Sequence, residues 1–178
     1  LAPQVADLLL AGGDLSALQS HRREIVVVCC DLRGFTAFAE AAGPEDVMHV
    51  LSDYYAAIGE QANRYEATLD GFAGDGAILF FNDPQPVADP AARALRMADD
   101  MRRAVRDRAE GWRRNGHDLG FGIGISQGEA TLGRVGFDGR HDYTAIGMVV
   151  NVAARLCADA RDGEILLTQD VAVTAGGI

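Results

Sequence analysis

The sequence predicts an α+β domain, a mixed β-sheet of ferredoxin-like type covered by helices. Three observations carry that reading. The run Ile25 to Cys30 is apolar and rich in β-branched residues, as in a strand buried on both faces. A Gly74-Asp75-Gly76 turn joins two short apolar runs into a hairpin. Long amphipathic stretches lie on either side of that hairpin, which implies helices covering a mixed sheet.

Pro3 to Ala11 reads as a short amphipathic helix with Val5, Leu8 and Leu9 on one side, ended by Gly12-Gly13. The polar residues that follow read as a connector, so 1–22 is expected to be an N-terminal helical arm or linker ahead of a domain over 23–178. Asp31 closes the first strand, Gly34 permits a sharp turn, and a helix starts near Phe35. Pro44-Glu45-Asp46 opens a second helix, with proline in the first turn and acids at the positive end. Its apolar stripe is Val47, Leu51, Tyr54, Ile58, Ala62 and Tyr65.

The hairpin strands are Ala67 to Ala73 and Ala77 to Phe81, and the proline-rich segment from Asn82 to Pro90 is a loop. Ala91 to Arg114 is a long helix with Ala94, Met97, Met101, Val105 and Trp112 inward. From Leu119 to Ile125 glycines alternate with Phe121, Ile123 and Ile125, which predicts a strand with one bare face open to another backbone. More strand follows from Ala130 to Val135, then an Asp138-Gly139 turn and a strand from His141 to Ala145. Val149 to Asp159 is a helix, Glu164 to Thr168 a short strand, and the remainder a tail.

At 178 residues the chain is long enough for one domain with a real core. With 26 acidic and 16 basic residues its net charge is −10, which argues against gripping a nucleic-acid backbone or an anionic membrane. All 16 basic residues are arginine, so a Walker-type phosphate loop, a Schiff-base enzyme and any catalytic lysine are excluded. Eight of those arginines fall on the 91–114 helix and read as its solvated face. The three cysteines form no CxxC pair, so neither a disulfide framework nor a zinc site is indicated, and reduced thiols fit a cytoplasmic protein. No apolar stretch approaches the ~18 residues of a membrane span.

Two aspartates stand out by position, Asp31 at the end of a buried strand and Asp75 at a hairpin tip. Either alone could simply cap a turn. If the first strand lies beside the hairpin, the two carboxylates converge into a hard oxygen site suited to Mg²⁺ or Mn²⁺. Gly34, Phe35 and Thr36 then offer backbone N–H groups near Asp31, an anion cradle that needs no lysine. Asn151 and Arg155 are four apart on one helix and share a face, a neutral donor and a fixed cation suited to a phosphate-like transition state.

Three segments, Cys30-Asp31-Leu32-Arg33-Gly34-Phe35-Thr36, Phe72-Ala73-Gly74-Asp75-Gly76 and Tyr143-Thr144-Ala145-Ile146-Gly147 with Val150-Asn151-Val152-Ala153-Ala154-Arg155-Leu156, resemble the class III adenylyl/guanylyl cyclase catalytic domain, in order along 23–178. The resemblance implies a cyclase that turns ATP, or less readily GTP, into the 3′,5′-cyclic nucleotide and pyrophosphate. It implies a head-to-tail homodimer with composite sites, two Mg²⁺ or Mn²⁺ ions on Asp31 and Asp75, and Asn151 and Arg155 supplied by the partner chain. Leu32, Gly34, Phe35, Thr36, Thr144 and the position of Gly71 fall among the substrate-binding residues, with Thr144 at the base as in adenylyl-type bacterial members.

The departures are as specific. The base-reading lysine of the family falls at Gly71, and on an alternating strand the adjacent Asp70 faces the other way. Met148 stands where an acid or amide is common, and the chain stops at Ile178, before the last strands of the family. The chain therefore reads as a C-terminally truncated fragment of a protein with an upstream sensor or regulatory domain. The alternative expectation is a non-catalytic cyclase-homology module for dimerisation or nucleotide sensing. A diguanylate cyclase is disfavoured because Gly12-Gly13-Asp14 is followed by Leu15-Ser16 instead of that family's signature.

Overall fold

The computed structural model describes residues 18–137 and 140–176. The helix expected over 3–11 and the turn at Asp138-Gly139 lie outside the described residues. The elements run β1 (His21–Arg33), α1 (Phe35–Ala41), α2 (Pro44–Tyr65), β2 (Thr68–Ala73), β3 (Gly76–Phe81), α3 (Pro90–Arg114), β4 (Gly120–Phe137), β5 (Arg140–Ile146), α4 (Met148–Asp159), β6 (Ile165–Leu167) and α5 (Gln169–Thr174). The sheet order is β2-β3-β1-β4-β5, antiparallel throughout, with β6 added parallel to β4. This is the mixed, helix-covered α+β sheet that the sequence predicts.

β1 is central, so its run from Ile25 to Cys30 is buried on both faces. Val26, Val28, Cys30 and Leu32 join a core with Tyr54 and Ile58 of α2 and Met97, Met101 and Trp112 of α3. Ile25, Val27 and Cys29 join a second core on the opposite face with Phe80, Tyr143 and Val149, Ala153 and Cys157 of α4. The α2 stripe differs from the predicted one: Val50 and Ala57 are buried, while Val47 and Leu51 are only partly so. β1 begins at His21, inside the stretch read as a connector, because Arg22 and Arg23 pair with Thr131 and Ala130 of a β4 that runs unbroken through the predicted gap. The expected tail forms α5 instead, held by Val171, which is fully buried; a six-residue segment shows too little periodicity for this to be legible.

The bare face of β4 is filled by backbone and by polar side chains. A Cβ at Gly124 would collide with the Ala153 carbonyl and the Cys157 amide of α4, and one at Gly122 with the Arg33 guanidinium. On α3, Arg93, Arg102, Arg103, Arg108 and Arg113 face Glu66, Asp99, Glu60 and Asp118, which gives the arginine-rich face its local charge balance.

The β4–β5 arm is tied to the sheet by a buried carboxylate. Tyr143 packs on Phe80 with ring centroids 6.4 Å apart, and its hydroxyl donates to Asp83, whose side chain is fully buried. His21 Nε2 lies 2.7 Å and Arg23 Nη1 3.2 Å from Asp83 Oδ2. The hydrogen bond to Asp83, with a further one to the Gln19 carbonyl, raises the His21 pKa above its usual 6.5.

Three outcomes follow. Gly124→Ala forces α4 off the sheet and costs about 1–3 kcal/mol, roughly 2–4 °C of Tm per kcal/mol in a domain of this size. Gly71→Ala, with open space around its Cβ, changes stability by less than about 0.5 kcal/mol; thermal melts compare the two. Because the folded pKa of His21 is raised, its contribution is complete below 6.5 and fades as pH rises through the folded value. The Tm gap between wild type and His21→Gln is therefore widest in acid and narrows above neutrality.

Candidate active site

The antiparallel pairing of β1 with β3 matches Cys30 with Ala77, so Asp31 lies beside Gly76, one residue from Asp75. The hairpin tip is fixed from outside the sheet. Gly74 takes φ 61°, a conformation that favours glycine. The Tyr55 hydroxyl donates to the Gly74 carbonyl, and the Tyr55 ring stacks on Phe72 at 3.9 Å. These contacts hold Asp75 where its carboxyl shares a hydrogen bond with Asp31.

Burial and the adjacent Asp75 push the Asp31 pKa up to about 7, against the opposing pull of Arg33 and of the Leu32 N–H. A carboxyl whose pKa is raised by burial and by a neighbouring carboxyl marks a site short of positive charge. The donor set fits Mg²⁺ or Mn²⁺, hard ions that accept one or two carboxylates and take substrate phosphate oxygens for the rest. Among the described residues no three His, Cys, Asp or Glu side chains gather in one cluster, so a cation here would depend on oxygens from elsewhere.

Asp31 opens onto a cleft of about 430 Å³ between the hairpin, β1, β5 and α4. Gly71, Ala73, Gly76, Thr144, Val150 and Ala154 are among its walls. Cys29 and Cys157 lie in the same cleft, and burial raises both thiols, Cys29 to about 12, so they serve as packing and not as thiolate nucleophiles. Arg33 reaches across Gly122. Its Nε donates to the Ala160 carbonyl at 2.8 Å and its Nη2 to the Cys157 carbonyl, while Nη1 lies 3.6 Å from Asp31 Oδ2. It thus caps the C-terminus of α4 and ties that helix to the carboxylate pair.

The predicted site residues fall into two groups. Asp31, Gly71 and Thr144 line one cleft, and Asp75 meets Asp31 at its edge. Leu32 is buried in the core and contributes its N–H to Asp31. Gly34, at φ 82°, turns the chain into α1, where Phe35 is half-buried and Thr36 exposed. Asn151 and Arg155 are exposed on α4 and are not among the residues that line this cleft, and among the described residues neither side chain has a hydrogen-bond or ion-pair partner.

One expectation is corrected. β2 carries a bulge between Leu69 and Gly71: Leu69 pairs with Leu79 but Gly71 with Ile78. The extra residue, Asp70, breaks the alternation, so Asp70 and Gly71 both line the cleft. Asp70 Oδ2 accepts from Thr144 Oγ1 at 2.8 Å and from the Ala145 N–H at 3.4 Å. The sequence signal was a glycine inside a strand, which often marks a bulge. The roles of Arg33, Tyr55 and Asp83 depend on long-range contacts and had no local signal.

Comparison with known proteins agrees with this geometry. The sequence profile described as "Adenylate and Guanylate cyclase catalytic domain" matches residues 18–175. An adenylate cyclase of Anabaena cylindrica is 33% identical over 160 residues, covering 88% of this chain and 30% of that protein. An uncharacterised Mycobacterium tuberculosis protein is 33% identical over 153 residues, 85% of this chain and 27% of its own length. The chain thus spans less than a third of these curated relatives. Among solved structures, the guanylyl cyclase Cya2 superposes with a TM-score of 0.85 at 32% identity, covering 89% of this chain and 81% of that one. The adenylyl cyclase CyaB from P. aeruginosa gives 0.84 at 34% identity, with 88% and 82% covered. With cleft, sheet order and motifs in agreement, the chain belongs to the adenylate and guanylate cyclase catalytic domain family.

Proposed function

We propose that the chain cyclises a purine nucleoside triphosphate, by attack of the ribose 3′-hydroxyl on the α-phosphorus with release of pyrophosphate. The observation that carries this reading is the pair Asp31 and Asp75, hydrogen-bonded to each other at the edge of a cleft of nucleotide size. Asp31 and Asp75 hold Mg²⁺ or Mn²⁺, which when bound supplies charge neutralisation for the triphosphate and lowers the pKa of the 3′-hydroxyl. Gly34, Phe35 and Thr36 begin three residues after Asp31 and offer backbone N–H groups to phosphate oxygens. Thr144 lines the same cleft, and the family resemblance assigns it to the base and points to ATP.

The working unit is a head-to-tail homodimer. Asn151 and Arg155 are exposed and do not line the cleft of their own chain; as the family resemblance implies, they serve the cleft of a second copy, where Arg155 stabilises the charge on the transferring phosphoryl group. Exposed apolar side chains support a covered surface there: Phe137 and Met148 are 71% and 70% exposed, with Val135 and Ile146 nearby on the arm. The second reading, a nucleotide-sensing module without turnover, is favoured by Gly71, which leaves the cleft without the family's base-reading lysine. Incubating the purified chain with ATP or GTP and Mn²⁺ separates the two: cyclic nucleotide above an Asp75→Ala control supports the enzyme, and metal-dependent binding without product supports the module.

The composite site predicts complementation. Asp75→Ala and Arg155→Ala each lower turnover by about 10²–10³-fold, yet mixing them restores activity, because one of the two shared sites is then intact. No recovery in a verified heterodimer contradicts the shared site. The carboxylate pair makes a separate prediction about stability. The folded pKa of Asp31 is raised, so its ionisation weakens the metal-free fold as pH rises through about 7. Asp31→Asn therefore raises the metal-free Tm in mild base and abolishes the rise that Mn²⁺ gives the wild type.

A further inference from the structure

α4 is held to the sheet along its length. At its first turn the Ser126 hydroxyl donates to the Val149 carbonyl. Further along, its backbone rests on Gly124, where the Ala153 carbonyl and the Cys157 amide leave no room for a Cβ. Its last turn is gripped by Arg33, whose Nε donates to the Ala160 carbonyl at 2.8 Å and whose Nη2 donates to the Cys157 carbonyl. A guanidinium is a planar, rigid fork, so two bonds from it to carbonyls one turn apart fix both the rotation of the helix and its position along its axis. The remaining nitrogen, Nη1, lies 3.6 Å from Asp31 Oδ2. One side chain thus joins the end of α4 to the carboxylate pair, in space that a Cβ at Gly122 would occupy. Asn151 and Arg155 are exposed on this same helix. Arg155 is two residues from Cys157, about half a turn around the helix, so any turning of the end that Arg33 grips carries the Arg155 side chain with it.

We infer that Arg33 is a positioning residue for the cleft of the second copy: from beside the carboxylates of its own cleft it sets the register of α4, and so the reach of Asn151 and Arg155 into the other. The inference rests on the composite site proposed above and adds that each cleft depends on an arginine seated beside its neighbour. Positioning errors of about 1 Å cost on the order of 10²-fold in rate, so a loosened last turn is felt in turnover. α4 has other anchors besides Arg33. The Ser126 bond and the Gly124 contact are independent of it, and the loop after the helix is pinned by the Phe121 N–H, which donates to Asp162 Oδ1 at 2.9 Å. A different side chain at position 33 therefore alters the register of the helix and leaves it docked.

The test uses a verified heterodimer with one intact cleft, made from an Asp75→Ala chain and an Arg155→Ala chain. That cleft takes its carboxylates from the Arg155→Ala chain and its α4 from the Asp75→Ala chain. Arg33→Gln is placed on one chain or the other, and turnover at saturating Mn²⁺ and the affinity for a fluorescent mant-nucleotide are both measured. On the Asp75→Ala chain, which supplies the helix, it is expected to lower both by about ten-fold or more. On the Arg155→Ala chain, beside the working carboxylates, the loss is expected to be smaller. Arg33→Lys keeps the charge but loses the fork, so on the Asp75→Ala chain it is expected to behave as Gln does. An equal or larger loss from Gln on the Arg155→Ala chain overturns the inference, because Arg33 then serves its own carboxylates or its own fold. Full activity with Lys overturns it as well, by reducing Arg33 to a charge beside Asp31. If the heterodimer with both Arg33 residues intact neither turns over nor binds nucleotide, the composite site fails and the inference falls with it. The same asymmetry in nucleotide affinity, without cyclic product, supports the inference and overturns turnover instead.

Discussion

The constraint on which the rest depends is the contact between α4 and the glycine face of β4. At Gly124 the helix backbone meets the strand backbone where no side chain fits. Any larger residue would lift α4, and with it the end that Arg33 caps through the Cys157 and Ala160 carbonyls. That one approach closes the cleft, brings a guanidinium to Asp31, and leaves Asn151 and Arg155 on the side of the helix that faces outward. The carboxylate pair and the Asn151–Arg155 face thus lie on one chain as the two parts of the composite site proposed above.

The carboxylate pair adds a second tension. Burial and the adjacent Asp75 oppose ionisation of Asp31, and the surrounding structure over-determines the position of the pair: the β1–β3 register on one side, the Tyr55 contacts on the other. Local instability maintained by rigid neighbours is the pattern of a preorganised site. The other end of the cleft is built differently. There one oxygen of Asp70, Oδ2, accepts from Thr144 and Ala145 of another strand, so the arm that carries Thr144 matters for the cleft as well as for the fold.

Much of this was legible from local pattern. The Ile25–Cys30 run, the hairpin around Asp75 and the glycines of β4 each depend on short-range chemistry, and each appears where the residues place it. The placement of Asp31 beside Asp75 needed only the assumption that β1 neighbours the hairpin. What sequence could not give was anything decided by a partner distant in the chain. Strict alternation misdirected Asp70, because a bulge shifts register by one and turns a side chain to the other face. α5 forms because Val171 is buried, and the arm is anchored because Tyr143 finds Asp83, neither of which leaves a periodic trace.

The most direct test of the composite site is a crystal structure of the chain with Mn²⁺ and a non-cyclisable nucleoside triphosphate. The account predicts a cation between Asp31 and Asp75 of one copy and the Arg155 guanidinium of a second copy on the triphosphate bound there. A nucleotide held with Arg155 of its own chain, or a cation bound away from the two aspartates, would contradict it.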